Sequence, residues 1–200
     1  MSEMLRNHVA KRIEITDEEW RAFYALFTPY KLKKREFLTR PGDVNDATAY
    51  IVSGCMRTFY TDGKGHEHTM QIGFEDWWAG DLLGFITGAP AHYSVEALED
   101  TQLLLLNRAD QEAFYSKNLK FEKYFRILLQ SAYVAGQMRM ISTMSKSAEE
   151  RYIDLIQKYP HMELRVAQHH IASYLGITPE ALSRIKRSII EKTRSERSKG

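Results

Sequence analysis

Cysteine is nearly absent: Cys55 is the only one in 200 residues. One thiol excludes a disulfide framework within the chain and any four-thiolate metal or iron–sulfur site. It fits a reducing compartment, and a cytoplasmic location is expected. Proline is scarce at five and glycine stands at eleven, which excludes collagen-like structure. No stretch approaches the roughly 18 uncharged apolar residues of a membrane-spanning helix. The longest candidate, 101–107, is short and strand-like. Met1 to Trp20 alternates charged and apolar residues, so no signal-peptide core is expected. A Walker loop, GxGxxG, HExxH and a Ser-His-Asp context are all missing, and an enzyme is not expected.

What remains is globular: 44% hydrophobic, 27% charged and 12% aromatic residues, in enough chain to bury a core without staples. The net charge of +2 hides a division. Residues 1–116 carry 12 basic and 18 acidic groups, or −6, while 117–200 carry 16 and 8, or +8. Such asymmetry suggests a nucleic-acid partner for the basic half. Within that half, 117–144 and 145–200 hold +4 each, so charge alone does not locate the binding unit.

Along the chain, Thr16 with Glu19 has capping-box spacing, and Trp20, Phe23, Tyr24 and Phe27 recur helically. A helix over 16–28 is expected, ended by Pro29. From Tyr30 to Leu106 short extended runs alternate with turn signals: Glu36–Thr39, Ala49–Val52, Met56–Tyr60, His68–Phe74, Tyr93–Ala97 and Gln102–Leu106. Asp62-Gly63 between two runs predicts a hairpin. Strands this short imply a β sandwich or barrel rather than a parallel α/β sheet. Ala109–Tyr115 reads as a short helix, and Asn118 as the cap of a long one. In the long helix Tyr124, Ile127, Ser131, Val134, Met138 and Ile141 form a heptad seam. Phe121, Phe125, Leu128 and Ala132 form a second stripe. Two stripes give the helix one surface for its own domain and one for a partner chain. Ala148–Tyr159, Val166–Leu175 and Glu180 to about Lys192 follow as helices, with a frayed polar tail from Thr193.

The segment from Gln168 to Arg187 is the most informative. Ile171, Ala172 and Leu175 form an apolar face, and Gly176 allows the positive φ at which a first helix turns. Thr178 is placed to cap the next helix, Pro179 suits its first position, and Glu180 suits its positive end. Leu182 and Ile185 face inward. Glu180, Ser183, Arg184 and Arg187 face outward, with Lys186 at the edge. Two helices joined through a short glycine turn are the geometry of a helix-turn-helix, whose second helix reads base edges. Arg184 suits guanine O6 and N7, and Glu180 suits cytosine N4. Lys186, Arg187, Lys192 and the Thr178 hydroxyl suit phosphates, and of the sequential His169 and His170 one, His169, is taken as a further phosphate contact. His66 and His68 alternate on a surface hairpin with one carboxylate turned away, and no metal site is expected.

The order of a β domain, a long helix and Ile-Ala-Ser-Tyr-Leu-Gly-Ile-Thr-Pro-Glu-Ala-Leu-Ser-Arg (171–184) resembles the Crp/Fnr family of bacterial transcription regulators. The resemblance spans nearly the whole chain. It implies an α+β fold: a β-roll (double-stranded β-helix) sensor over 1–116, a dimerisation helix over 117–144, and a winged-helix-like helix-turn-helix domain over 145–200. The stretch after Arg187 is too polar for the strand-forming wing that some members carry. In the family motif an Arg-Glu pair opens the reading helix and an Arg follows four residues after the Glu. Glu180 and Arg184 match, while Pro179 replaces the first Arg. The resemblance implies a homodimer on two-fold symmetric double-stranded DNA, with half-sites about 10 bp apart, RNA polymerase as a further partner, and a small-molecule effector. Cyclic-nucleotide-binding members hold ribose and phosphate with a Gly-Glu and an Arg-Ser. The corresponding region here looks like Gly84-Phe85 and Tyr93-Ser94, lacking both charges, so cyclic AMP is not expected. Trp78 joins these four as candidate pocket lining. No cofactor is expected, and no feature asks for haem. The alternative is an effector-sensing module that acts through protein contacts without DNA.

Overall fold

The computed structural model describes residues 2–197. Two helices, α1 (Glu3–Ala10) and α2 (Asp17–Tyr24), lead into β1 (Phe27–Leu32), β2 (Phe37–Thr39), β3 (Ala47–Ser53), β4 (Met56–Thr61), β5 (Glu67–Gly73) and β6 (Trp77–Ala79). Then come α3 (Leu82–Thr87), β7 (Ser94–Ala97), β8 (Thr101–Asn107), α4 (Arg108–Tyr115) and the 27-residue α5 (Leu119–Ser145). The chain continues through α6 (Ala148–Lys158), α7 (Met162–Arg165), α8 (Gln168–Leu175) and α9 (Pro179–Arg197).

Two four-stranded antiparallel sheets, ordered β1-β8-β3-β6 and β2-β7-β4-β5, face each other. Ala49, Ile51 and Leu103 of the first sheet meet Met56, Val95 and Ala97 of the second. The opposite face of the first sheet presents Tyr50, Leu104 and Leu106 to α1, α2 and the start of α5. β8 therefore buries both faces, which is why it reads as a continuous apolar run instead of alternating.

The capping box of Thr16 and Glu19 forms as expected. Four expectations need correction. The helix ends at Tyr24, and Pro29 lies within β1. β1 is an edge strand, where a missing N–H costs nothing in the ladder. Asn118 stands at the N-cap position of α5, but its amide donates to the Phe114 carbonyl at 3.2 Å and gives no side-chain cap. The segment from Thr193 does not fray at once, since α9 runs to Arg197; 198–200 lie outside the described residues. Tyr124 belongs to its own chain's core: it is fully buried, and its hydroxyl meets His8 Nδ1 at 2.7 Å and Trp78 Nε1 at 3.1 Å.

Candidate nucleic-acid interface

The helix-turn-helix is built from α8, a tight turn and α9. Gly176 takes φ 68°, and its N–H bonds the carbonyls of Ala172 and Ser173. The Ile177 N–H reaches back to the Ala172 carbonyl at 3.0 Å, completing a Schellman closure. Thr178 then accepts the Ala181 N–H at 3.2 Å through Oγ1, capping α9 with Pro179 as its first residue. Ile171, Ala172, Leu175 and Leu182 are buried together. Ala172 is fully buried, where a larger side chain would push the helices apart.

Thr178, Pro179, Glu180, Ser183, Arg184 and Arg187 are exposed at and after the turn, and His169 is exposed on α8. The Glu180 carboxyl is held below its usual range by its own backbone N–H, by the Thr178 hydroxyl and by Arg184. Lys186 is half-buried and pairs with Glu163 at 2.5 Å. Ser183 Oγ accepts from Gln168 Nε2 at 2.6 Å. Gln168 lies within the helix-turn-helix segment, but nothing in its spacing marks a contact fifteen residues away.

This unit sits on the outer side of the second sheet, sharing a core with Cys55, Ile72 and Leu98. Ser173 Oγ accepts the Thr69 N–H at 2.9 Å and donates to the Glu67 carbonyl at 2.7 Å. Arg139, in the last third of α5, donates to the carbonyls of Thr69 and Tyr174 at 3.1 and 2.8 Å and lies over the Tyr174 ring. The β-roll, the long helix and the helix-turn-helix thus meet at one guanidinium. On α8, burial first and then Arg57 push the His170 imidazole down to about 3, so it is neutral at ordinary pH.

Beyond Ile127, α5 has little cover. Val134, Met138 and Ile141 of the expected seam are exposed, as are Leu129, Tyr133, Met140 and Met144. Ser131 is exposed and returns its hydroxyl to the Ile127 carbonyl. Phe121, Phe125 and Leu128 join the first core instead.

In the β-roll, Gly84 and Tyr93 are brought together, though not by an empty cleft. The Asp81 carboxylate caps α3 and is completely buried. It accepts the N–H groups of Gly84 at 3.2 Å, His92 at 2.5 Å and Tyr93 at 3.2 Å. Phe85 and Ser94 are buried next to these two. The region therefore does hold a carboxylate, three residues before Gly84. Asp81 reads as an ordinary turn residue, although an Asp ahead of an apolar helix is also an N-cap signal. A guanidinium is present too: Arg108 Nη1 donates to the Phe85 carbonyl at 3.4 Å. Trp78 does not join the group. It packs against Tyr50, Phe27 and Phe125 on the outer face of the first sheet. His66 and His68 both face Asp62, at 3.4 and 3.0 Å.

Residues 29–118 match the cyclic nucleotide-binding domain family. The transcriptional activator protein Anr of Pseudomonas protegens is 28% identical over 167 residues, covering 77% of this chain and 67% of its own. The nitrogen fixation regulation protein FixK of Rhizobium meliloti is 21% identical over 159 residues, covering 76% and 70%. The chain is thus similar to two regulators over about three quarters of its length. The solved structure of FixK2 from Bradyrhizobium japonicum superposes with a TM-score of 0.75 at 18% identity, covering 84% of this chain and 86% of that one. The fold of that structure, with its β-roll, long helix and carboxy-terminal helices, is thus shared over 84% of this chain. Among the described residues, no helix is long and apolar enough to cross a membrane.

Proposed function

We propose that this chain is a sequence-specific DNA-binding transcription regulator of the Crp/Fnr type that acts as a homodimer and does not respond to cyclic AMP. The observation that carries the reading is the Schellman-closed, Thr178-capped turn, which leaves Glu180, Ser183, Arg184 and Arg187 exposed on α9. An acceptor at 180 and a fork of donors at 184 suit base edges in the major groove. Arg187 and the turn hydroxyl suit phosphates. Lys186 serves phosphate only after leaving Glu163. Anr is itself named a transcriptional activator, in keeping with this assignment.

The exposed apolar stretch of α5 supports a second copy as its partner, because a single helix face this apolar is costly to leave in water. The seam proposed for the dimer runs through Ile127, Ser131, Val134, Met138 and Ile141, without Tyr124. Asp81 supports the exclusion of cyclic AMP: a phosphodiester brought to the N–H groups of Gly84, His92 and Tyr93 would meet a carboxylate already there.

A selection from random duplex DNA, followed by a salt titration, tests the reading. Enrichment of a two-fold symmetric sequence, with affinity falling steeply as salt rises, is expected. Failure to bind any duplex at about 50 mM salt overturns it and favours a sensor that acts through protein contacts.

A further inference from the structure

Ser183, on the reading face, is held from behind. Gln168, the first residue of α8, reaches across the turn. Its Nε2 donates to Ser183 Oγ at 2.6 Å and lies 3.4 Å from the carbonyl oxygen of Pro179. A carbonyl only accepts, so the nitrogen end of the amide faces α9 and the hydroxyl is the acceptor in the pair. Serine and threonine inside helices often send their proton to the carbonyl four residues earlier. Ser131, Thr143 and Ser145 do so along α5. For Ser183 that carbonyl belongs to Pro179 and already receives the Gln168 amide, and among the described residues the Ser183 hydroxyl makes no such back-bond. The proton of Ser183 is therefore left for a group outside the helix, on an exposed face flanked by Arg184 and Arg187.

We propose that Gln168 is a positioning residue that sets which base edge Ser183 reads. This rests on the DNA-binding reading above. A serine hydroxyl by itself serves as donor or acceptor, and so discriminates poorly between base edges. Accepting an amide N–H polarises the O–H and favours donation outward. The matching partners in the major groove are acceptors: guanine O6 and N7, adenine N7 and thymine O4. Cytosine offers only its N4 donor there. The face of α9 then carries an acceptor at Glu180 and donors at Ser183 and Arg184, and Gln168 supplies the middle sign.

The experiment is selection from random duplex DNA with the full chain, as wild type and as Ser183→Ala, Gln168→Ala, Gln168→Glu and the double alanine variant. Shared thermal midpoints check that all are folded. Ser183→Ala is expected to flatten the preference at one position per half-site, by about five-fold for one hydrogen bond. Gln168→Ala should flatten the same position, with binding to unrelated duplex unchanged and no further loss in the double variant. Gln168→Glu removes the donor, so Ser183 gives its proton inward. Preference at that position should then move towards a base offering an N–H, cytosine N4 or adenine N6. The proposal is overturned if Gln168→Ala keeps the wild-type preference, if it weakens all duplexes equally as a lost phosphate contact would, or if Ser183→Ala changes no position. A wild type that selects no sequence overturns the DNA-binding reading as well, which separates the two failures.

Discussion

Arg165 grips Glu75 in a two-bond fork, Nη1 to Oε2 at 2.8 Å and Nη2 to Oε1 at 2.7 Å. The fork fastens the helix-turn-helix unit to the loop after β5, and the same guanidinium also meets Glu99. Glu75 in turn accepts the Gly54 N–H at 2.8 Å. Hydrogen bonds from Arg165 hold the Glu75 carboxyl down to about 2, against 4.5 ordinarily. A carboxyl depressed in the folded state stabilises above its unfolded pKa and loses that contribution as pH falls through its folded one. The contribution is therefore whole above about pH 4.5 and disappears towards pH 2. The pair is partly exposed, so screening limits its worth to about 1–2 kcal/mol. Between pH 5 and 2 the unfolding free energy of the wild type should fall by about that much more than that of Glu75→Gln. Parallel acid profiles would show that the fork contributes nothing.

Tyr124 closes a buried polar cluster at the root of the long helix. Burial, then Arg12, pushes the His8 imidazole down to about 4, so its Nδ1 is free to accept from the Tyr124 hydroxyl. That hydroxyl accepts from Trp78 Nε1. Tyr124→Phe keeps the ring but strands one donor and one acceptor, at a cost of about 1–3 kcal/mol. Urea unfolding should show a lower midpoint with an unchanged slope. An unchanged midpoint would mean the cluster is not closed in solution.

Tyr124 also shows why a heptad pattern was only partly legible. Spacing reports that residues share a helix face, not which neighbour lies against it. The face opens with Tyr124 on the β-roll and ends with Met138 and Ile141 in solvent. The helix-turn-helix was legible almost residue by residue, because glycine, threonine and proline at the turn each answer a local backbone demand. β1 was not, since Pro29 carries a helix-stop signal and only edge position makes it harmless in a strand. The Asp81 cluster was hidden for another reason: its partners lie eleven and twelve residues onward, across a loop with no periodicity.

The uncovered stretch of α5 gives a test that leaves the core alone. Val134→Lys with Met138→Lys changes two exposed side chains. The pair should lower the mass seen by light scattering from dimer to monomer, while the far-UV spectrum and thermal midpoint of the monomer stay folded-like. A double variant that remains dimeric would place the contact between copies elsewhere.

Asp81 fills its own site, so removing the carboxylate should destabilise the β-roll. Asp81→Ala leaves three N–H groups without their buried acceptor, and about 3 kcal/mol of stability should be lost. Calorimetry with cyclic AMP should show no heat of binding to the wild type. Micromolar binding by the wild type would mean that the carboxylate yields its place to the ligand, and that the exclusion argued from it is wrong.

Arg184 stands in the second turn of α9, exposed and four residues after Glu180. If its guanidinium forks onto guanine O6 and N7, Arg184→Ala removes two bonds to one base and should cost about 1–3 kcal/mol on the selected duplex. It should also relax the preference at that position. Arg187→Ala provides the contrast. A phosphate contact is blind to sequence, so its loss should weaken all duplexes alike and lower the salt slope by about one. The two variants separate reading from anchoring within a single helix. An unchanged preference in Arg184→Ala, with equal losses on selected and random duplex, would reassign this arginine to the backbone and leave Glu180 and Ser183 as the side chains that choose the sequence.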